Sequence, residues 1–119
     1  MSPSPLIAVI DDDAAVRVSL DGLVRSLGYR AAVFGSAEAY LDSGVRPDCI
    51  ISDVQMPGLS GIALKERLVA EGLEVPVILL TAFADEAARA RAERAGATCF
   101  LAKPFKAQTL IDCLGRALA

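Results

Sequence analysis

Apolar positions fall into short unbroken runs, separated by longer stretches in which they recur at helical spacing. Leu6 to Ile10 is the first run, the pattern of a strand buried on both faces of a parallel sheet rather than a half-exposed alternating one. It stops at Asp11-Asp12-Asp13. Beyond these acids, Val16, Leu20, Leu23, Val24 and Leu27 predict a helix, and Gly28 supplies a left-handed stop. Arg30 to Phe34 reads as a second strand and Ser36 as the N-cap of a short helix that runs through Leu41 and ends before Gly44 and Pro47. Cys49 to Ser52 is a third strand with Asp53 at its end. The loop Val54 to Gly61 then leads into a helix carrying Leu64 and Leu68 and closed by Gly72.

Val77 to Leu80 predicts a fourth strand, ending at Thr81, and Asp85 caps a helix running to Ala95. Its apolar stripe is only Ala88, Ala92 and Ala95, so loose docking and a mobile face are expected. Thr98 to Ala102 is the fifth strand, broken by Lys103-Pro104, and Leu110, Ile111, Leu114 and Leu118 mark a final helix. Strands alternating evenly with helices imply an α/β domain: a parallel sheet with right-handed crossovers and helices on both faces. One domain is expected over residues 1–119, with no linker or low-complexity tract. The ligand crevice of such a sheet lies at the carboxyl ends of its strands, which is where Asp11, Asp12, Asp53, Thr81 and Lys103 fall.

Composition narrows the function. The chain is 54% hydrophobic, mostly Ala, Val, Leu and Ile, which suits a packed parallel sheet and excludes disorder. No apolar stretch approaches the roughly 20 residues needed to cross a bilayer, and Met1-Ser2-Pro3-Ser4-Pro5 has neither a cationic region nor a signal core. The cytoplasm is therefore the expected compartment. A net charge of -3 without a basic cluster argues against direct nucleic-acid contact. With no histidine, a His base, a His metal ligand and a phosphohistidine are all excluded. Cys49, Cys99 and Cys113 lie outside any Cys-x-x-Cys spacing in apolar surroundings and are expected to be reduced core thiols.

Carboxylates converging on one crevice repel, by about 4 kcal/mol per pair at about 4 Å and an effective dielectric near 20. Either a proton is taken up or a cation binds, and an all-oxygen site with few ligands suits Mg²⁺, with Mn²⁺ as a substitute. Asp53, Lys103 and Thr81 supply a carboxylate nucleophile, a fixed cation and a hydroxyl, the parts needed for phosphoryl transfer. Taken singly, Asp11 to Asp13 could be helix-capping acids, Thr81 a strand-end hydroxyl and Lys103 a solvated cation. Their convergence at one sheet edge favours the joint reading.

Val9-Ile10-Asp11-Asp12-Asp13, Asp53-Val54-Gln55-Met56-Pro57-Gly58, Leu80-Thr81-Ala82 and Phe100-Leu101-Ala102-Lys103-Pro104-Phe105 resemble, in order, the four signatures of response-regulator receiver domains of two-component systems. The resemblance covers nearly the whole chain and implies a flavodoxin-like (βα)5 fold with strand order 2-1-3-4-5. It implies that Asp53 accepts phosphate from a partner histidine kinase, that Asp12, Asp53 and the Gln55 backbone carbonyl bind Mg²⁺ directly, and that Asp11 acts through a water. Lys103 would contact the phosphoryl oxygens, with the Lys103-Pro104 peptide cis, and Thr81 and Phe100 would form the switch pair. Phe100 departs from the Tyr often found there and must act by packing alone. On this reading the chain is a phospho-accepting signalling domain, not an enzyme, although it assists its own phosphorylation and dephosphorylation.

Val16-Arg17-Val18-Ser19-Leu20 and Ser36-Ala37-Glu38-Ala39-Tyr40-Leu41, with Lys103-Pro104-Phe105, further resemble receivers attached to LuxR-type (NarL/FixJ-like) transcription regulators. That implies transcription control through a DNA-binding domain attached beyond residue 119, or a stand-alone relative. The implied output is phosphorylation-dependent homodimerisation or release of the attached domain. Leu101 and Phe105, with Arg89, Arg91 and Arg94, are candidates for the contact surface, and Phe83 is placed to hinder a hydrolytic water. A flavin- or nucleotide-binding protein of this fold would need a Gly-, Ser- or Thr-rich loop where the three acids stand. Haloacid-dehalogenase-like phosphatases have an acid two residues beyond the nucleophile, and Gln55 occupies that place. The remaining alternative is a receiver-shaped interaction module that works without phosphate.

Overall fold

The computed structural model describes residues 3–119. Met1 and Ser2, the first two residues of the Met1-Ser2-Pro3-Ser4-Pro5 stretch, lie outside them. Five strands alternate with five helices: β1 (Leu6–Ile10), α1 (Ala14–Ser26), β2 (Arg30–Phe34), α2 (Ala37–Ser43), β3 (Cys49–Asp53), α3 (Gly61–Ala70), β4 (Val77–Thr81), α4 (Glu86–Arg94), β5 (Cys99–Ala102) and α5 (Ala107–Ala117). The strands form one parallel sheet in the order β2-β1-β3-β4-β5, the order expected.

Alternation along each central strand divides the core into two layers. Ile7, Val9, Cys49, Ile51, Ile78 and Leu80 point toward α1 and α5, where Leu20, Val24, Leu110 and Leu114 meet them. Ala8, Ile10, Ile50, Val77 and Leu79 point the other way, toward Tyr40 of α2, Ile62, Leu64 and Leu68 of α3, and Ala92 of α4. Burial on both faces explains why these strands read as unbroken apolar runs.

Local chemistry sets the helix ends. Asp13, Ser36, Ser60 and Asp85 each accept a backbone N–H in the first turn of the following helix. Only the third acid of the Asp11-Asp12-Asp13 run is a cap, which leaves the other two for different work. As expected, α4 docks thinly: Ala92 is its one fully buried residue, and Ala88 is half-buried. No helix among the described residues is long and apolar enough to cross a membrane.

The cysteines depart from expectation. Cys49 is free and buried, but Cys99 and Cys113 are joined by a disulfide rather than held as separate thiols. They stand 14 residues apart, so no sequence spacing marks them, yet packing of α5 against the edge strand β5 brings their Cα atoms to 6.3 Å, within disulfide range.

Candidate functional site

Strand register assembles the site. Ile10 pairs with Ser52, so Asp11 and Asp53, one residue further along neighbouring strands, emerge side by side. Asp53 pairs with Leu80 and Thr81 with Ala102, which places Thr81 and then Lys103 at the same edge. The Lys103 N–H donates to the Thr81 carbonyl at 2.8 Å, and the Lys103-Pro104 peptide is cis. One carboxylate oxygen from each of Asp11, Asp12 and Asp53 lies within 4.8 Å of the others. Lys103 Nζ stands 3.6 Å from Asp11 Oδ2 and 3.6 Å from Asp53 Oδ1.

Those two oxygens are buried and have no hydrogen-bond partner. Buried polar atoms are ordinarily satisfied, so a pair of orphans facing one point calls for a further electrophile. Three carboxylates against one ammonium leave two negative charges in excess. This donor set fits a hard divalent cation, and Gln55 follows Asp53 by two residues on the same loop. Burial pushes the Asp53 carboxyl above its ordinary value; Lys103 opposes that rise and Asp11 reinforces it. Carboxylate, ammonium and hydroxyl at one edge can together neutralise and orient a phosphoryl group.

Thr81 is fully buried, and its hydroxyl is already engaged: it donates to Gln55 Oε1 at 2.7 Å and accepts the Phe83 N–H at 2.9 Å. Phe100 is half-buried on β5, with the Arg89 guanidinium 5.1 Å above its ring. Arg91 is committed to Glu66 through two hydrogen bonds, of 3.1 and 2.6 Å. Two of the three candidate contact arginines thus have partners within the chain. Leu101 and Phe105 pack partly against the core, while Phe83 is 69% exposed.

Three supports escaped the sequence reading. Arg17 Nη1 donates to the Asp11 carbonyl at 2.7 Å, bracing the acidic turn from one helical turn inside α1. Glu38 accepts the Leu59 N–H at 3.0 Å, which holds its carboxyl below its ordinary value and ties the β3–α3 loop to α2. The Gln55 side chain holds Thr81, whereas only its backbone was expected to act. These are long-range pairings that local periodicity does not encode. Two glycines keep this region open: a Cβ at Gly58, where φ is +79°, would strike the Glu38 carboxylate that holds Leu59, and one at Gly61 would strike the Asp53 carbonyl.

A model of the response regulator receiver domain matches residues 7–114, the span that holds all of this geometry. The chain belongs to that family. This receiver is 40% identical over 114 residues to the transcriptional regulatory protein FixJ of Bradyrhizobium diazoefficiens, covering 94% of this chain and 56% of FixJ. It is 42% identical over 120 residues to the FixJ of Azorhizobium caulinodans, covering 99% of this chain and 57% of that one. Among solved structures, the crystal structure of FixJ-N superposes with a TM-score of 0.87 at 31% identity, covering 99% of this chain and 95% of that one. The chain spans about half the length of the curated relatives it matches. It is thus a receiver domain of the two-component response-regulator type, and its relatives are FixJ-like transcription regulators.

Proposed function

We propose that this receiver takes a phosphoryl group onto Asp53 from a phosphohistidine of a sensor histidine kinase, with Mg²⁺ bound, and thereby switches an attached or associated transcriptional output. The observation that carries the reading is the pair of buried, unpartnered oxygens, Asp11 Oδ2 and Asp53 Oδ1, sharing one ammonium. Asp12, Asp53 and the Gln55 carbonyl would hold the ion directly, and Asp11 through a water. When bound, Mg²⁺ supplies charge neutralisation for the phosphoryl oxygens and relieves repulsion among the carboxylates.

The chain's own residues do the remaining work. Asp53 is held at the end of a buried strand, so its carboxylate is fixed for in-line attack. Lys103 balances one oxygen of each flanking acid beforehand and turns to the phosphoryl group as charge arrives. Thr81 must break its bond to Gln55 to donate to the new anion, and that displacement draws its loop inward. Phe100 must leave the Arg89 guanidinium to fill the space beneath, so the faces of α4, β5 and α5 change together. The expected output is homodimerisation or release of an attached domain, in the cytoplasm, with no nucleic-acid contact by this domain. The converged acids and Lys103 disfavour a phosphate-independent module.

The test is intact mass after incubation with acetyl phosphate and Mg²⁺, for wild type and Asp53→Asn, with an EDTA control. One metal-dependent phosphoryl adduct on wild type, lost in the variant, supports the reading. No adduct on folded wild type, from acetyl phosphate or from a phosphorylated kinase, overturns it.

A further inference from the structure

At the opposite end of the edge strand from the acidic site, α5 is bound covalently to the sheet. Cys99 opens β5 and Cys113 lies midway along α5; Cys99 is 8% exposed and Cys113 fully enclosed. Beside them is a cation. The exposed Arg116, one turn past Cys113, places Nη2 2.9 Å from Cys99 Sγ and 3.4 Å from Cys113 Sγ. A guanidinium so close to two sulfurs is unneeded by a disulfide, which carries no charge. It is suited to a thiolate, the species that attacks and departs in thiol–disulfide exchange.

We propose that Cys99 and Cys113 are a reversible dithiol–disulfide site, with Arg116 its charge-stabilising residue and low-molecular-weight thiols and disulfides of the glutathione type its reactants. The inference is independent of phosphoryl chemistry. Access decides the order of events. A reductant thiolate attacks Cys99 Sγ, the less enclosed sulfur; the Cys99–Cys113 bond breaks and Cys113 leaves as a thiolate facing Arg116. A second reductant thiolate attacks the reductant sulfur of the mixed disulfide, releasing Cys99 as a thiolate. The protein gains two electrons and, on protonation of both sulfurs, two protons, and the reductant thiols leave as their disulfide. Oxidation by the small-molecule disulfide runs the same steps in reverse.

The third cysteine is the internal contrast. Cys49 lies in the central strand β3 with no cation beside it, and burial pushes its thiol up to about 12, so it stays inert. The site also lies where a change of state would be felt. Cys99 adjoins Phe100, and breaking the bond leaves α5 held only by Leu110, Leu114 and their apolar neighbours. Reduction therefore loosens the β5–α5 face without touching the acidic crevice.

The experiment equilibrates the native chain in glutathione buffers spanning reduced to oxidised ratios, quenches with acid, alkylates under denaturing conditions and counts labels by peptide mass. Cys99 and Cys113 should pass together from labelled to protected as the buffer becomes oxidising, with Cys49 labelled throughout. Two thiols still labelled in fully oxidised buffer, or a disulfide that yields only after the protein unfolds, would overturn the proposal. Reduction kinetics test Arg116. Arg116→Gln should slow opening on the order of fivefold at every pH, because the departing Cys113 thiolate loses its countercharge while the pH dependence follows the reductant thiol, and Arg116→Lys should recover most of the rate. Identical rates for all three proteins would remove Arg116 from the site.

Discussion

The Thr81 hydroxyl is spoken for by Gln55, whose Oε1 accepts it at 2.7 Å. If Thr81 is to donate to a phosphoryl oxygen, this bond has to break first, so Gln55 competes with the incoming anion. A hydrogen bond of this kind is worth about 1 kcal/mol net. Gln55→Ala should therefore lower the acetyl phosphate concentration giving half-maximal adduct by about fivefold, measured by intact mass at fixed Mg²⁺. An unchanged concentration would mean that the two acceptors do not compete.

Repulsion among the acids gives a second expectation. Asp53→Asn removes one charge from a crowded, partly desolvated cluster and should raise stability in metal-free buffer by about 1 kcal/mol. Mg²⁺ should reverse the ranking. At a hundred times its dissociation constant a ligand adds about 2.7 kcal/mol to wild type, whereas the variant, short of one donor, gains little. Thermal unfolding with EDTA and with Mg²⁺ reads both effects.

Lys103→Met keeps the length of the side chain and deletes the charge lying 3.6 Å from both Asp11 and Asp53. Phosphoryl adduct formation should fall by at least about tenfold, while Mg²⁺ still raises the melting temperature. Loss of the Mg²⁺ effect as well would assign Lys103 to building the metal site rather than to the phosphoryl group.

Gly61→Ala tests packing at the base of the site. Its methyl would strike the Asp53 carbonyl, so the start of α3 or the end of β3 must move, at a cost of about 1–3 kcal/mol in urea unfolding. The conservative size of the change makes it diagnostic: Gly22→Ala, with open space around the position, should cost nothing.

Glu38 predicts a pH dependence. Its carboxyl is held below its ordinary value, chiefly by the Leu59 N–H, so the folded state favours the ionised form. That contribution is fully present above the ordinary value of 4.5 and is lost as pH falls through the lower folded value. The stability difference between wild type and Glu38→Gln should be constant at neutral pH and shrink on acidification through this window. A difference that grows on acidification would reverse the sign argued here.

Much of this was legible in the sequence because it is local. Unbroken apolar runs located all five strands, Ser36 and Asp85 located two caps, and acids or cations just past strand ends located the crevice. Strand order came with the family resemblance, not from periodicity. The rest depends on residues distant in the chain but close in the fold. Glu38 reaches Leu59 across 21 positions and Thr81 reaches Gln55 across 26. Cys99 and Cys113 were misread because apolar surroundings predict a quiet thiol and cannot say that one cysteine's surroundings include another. The pairing of Arg91, a candidate for the contact surface, with Glu66 was not foreseen because Glu66 lies on α3.

The scant anchoring of α4 also has a bearing on time. A helix that seals only Ala92 beneath it surrenders little apolar surface when it shifts, so its barrier to rearrangement is low and its excursions belong in about the microsecond-to-millisecond range. A signalling element built this way relaxes faster than the covalent event that biases it. If Asp53 takes a phosphoryl group as proposed, the duration of the message is set by how long that modification survives, and the helix serves as a reporter that adds no delay of its own.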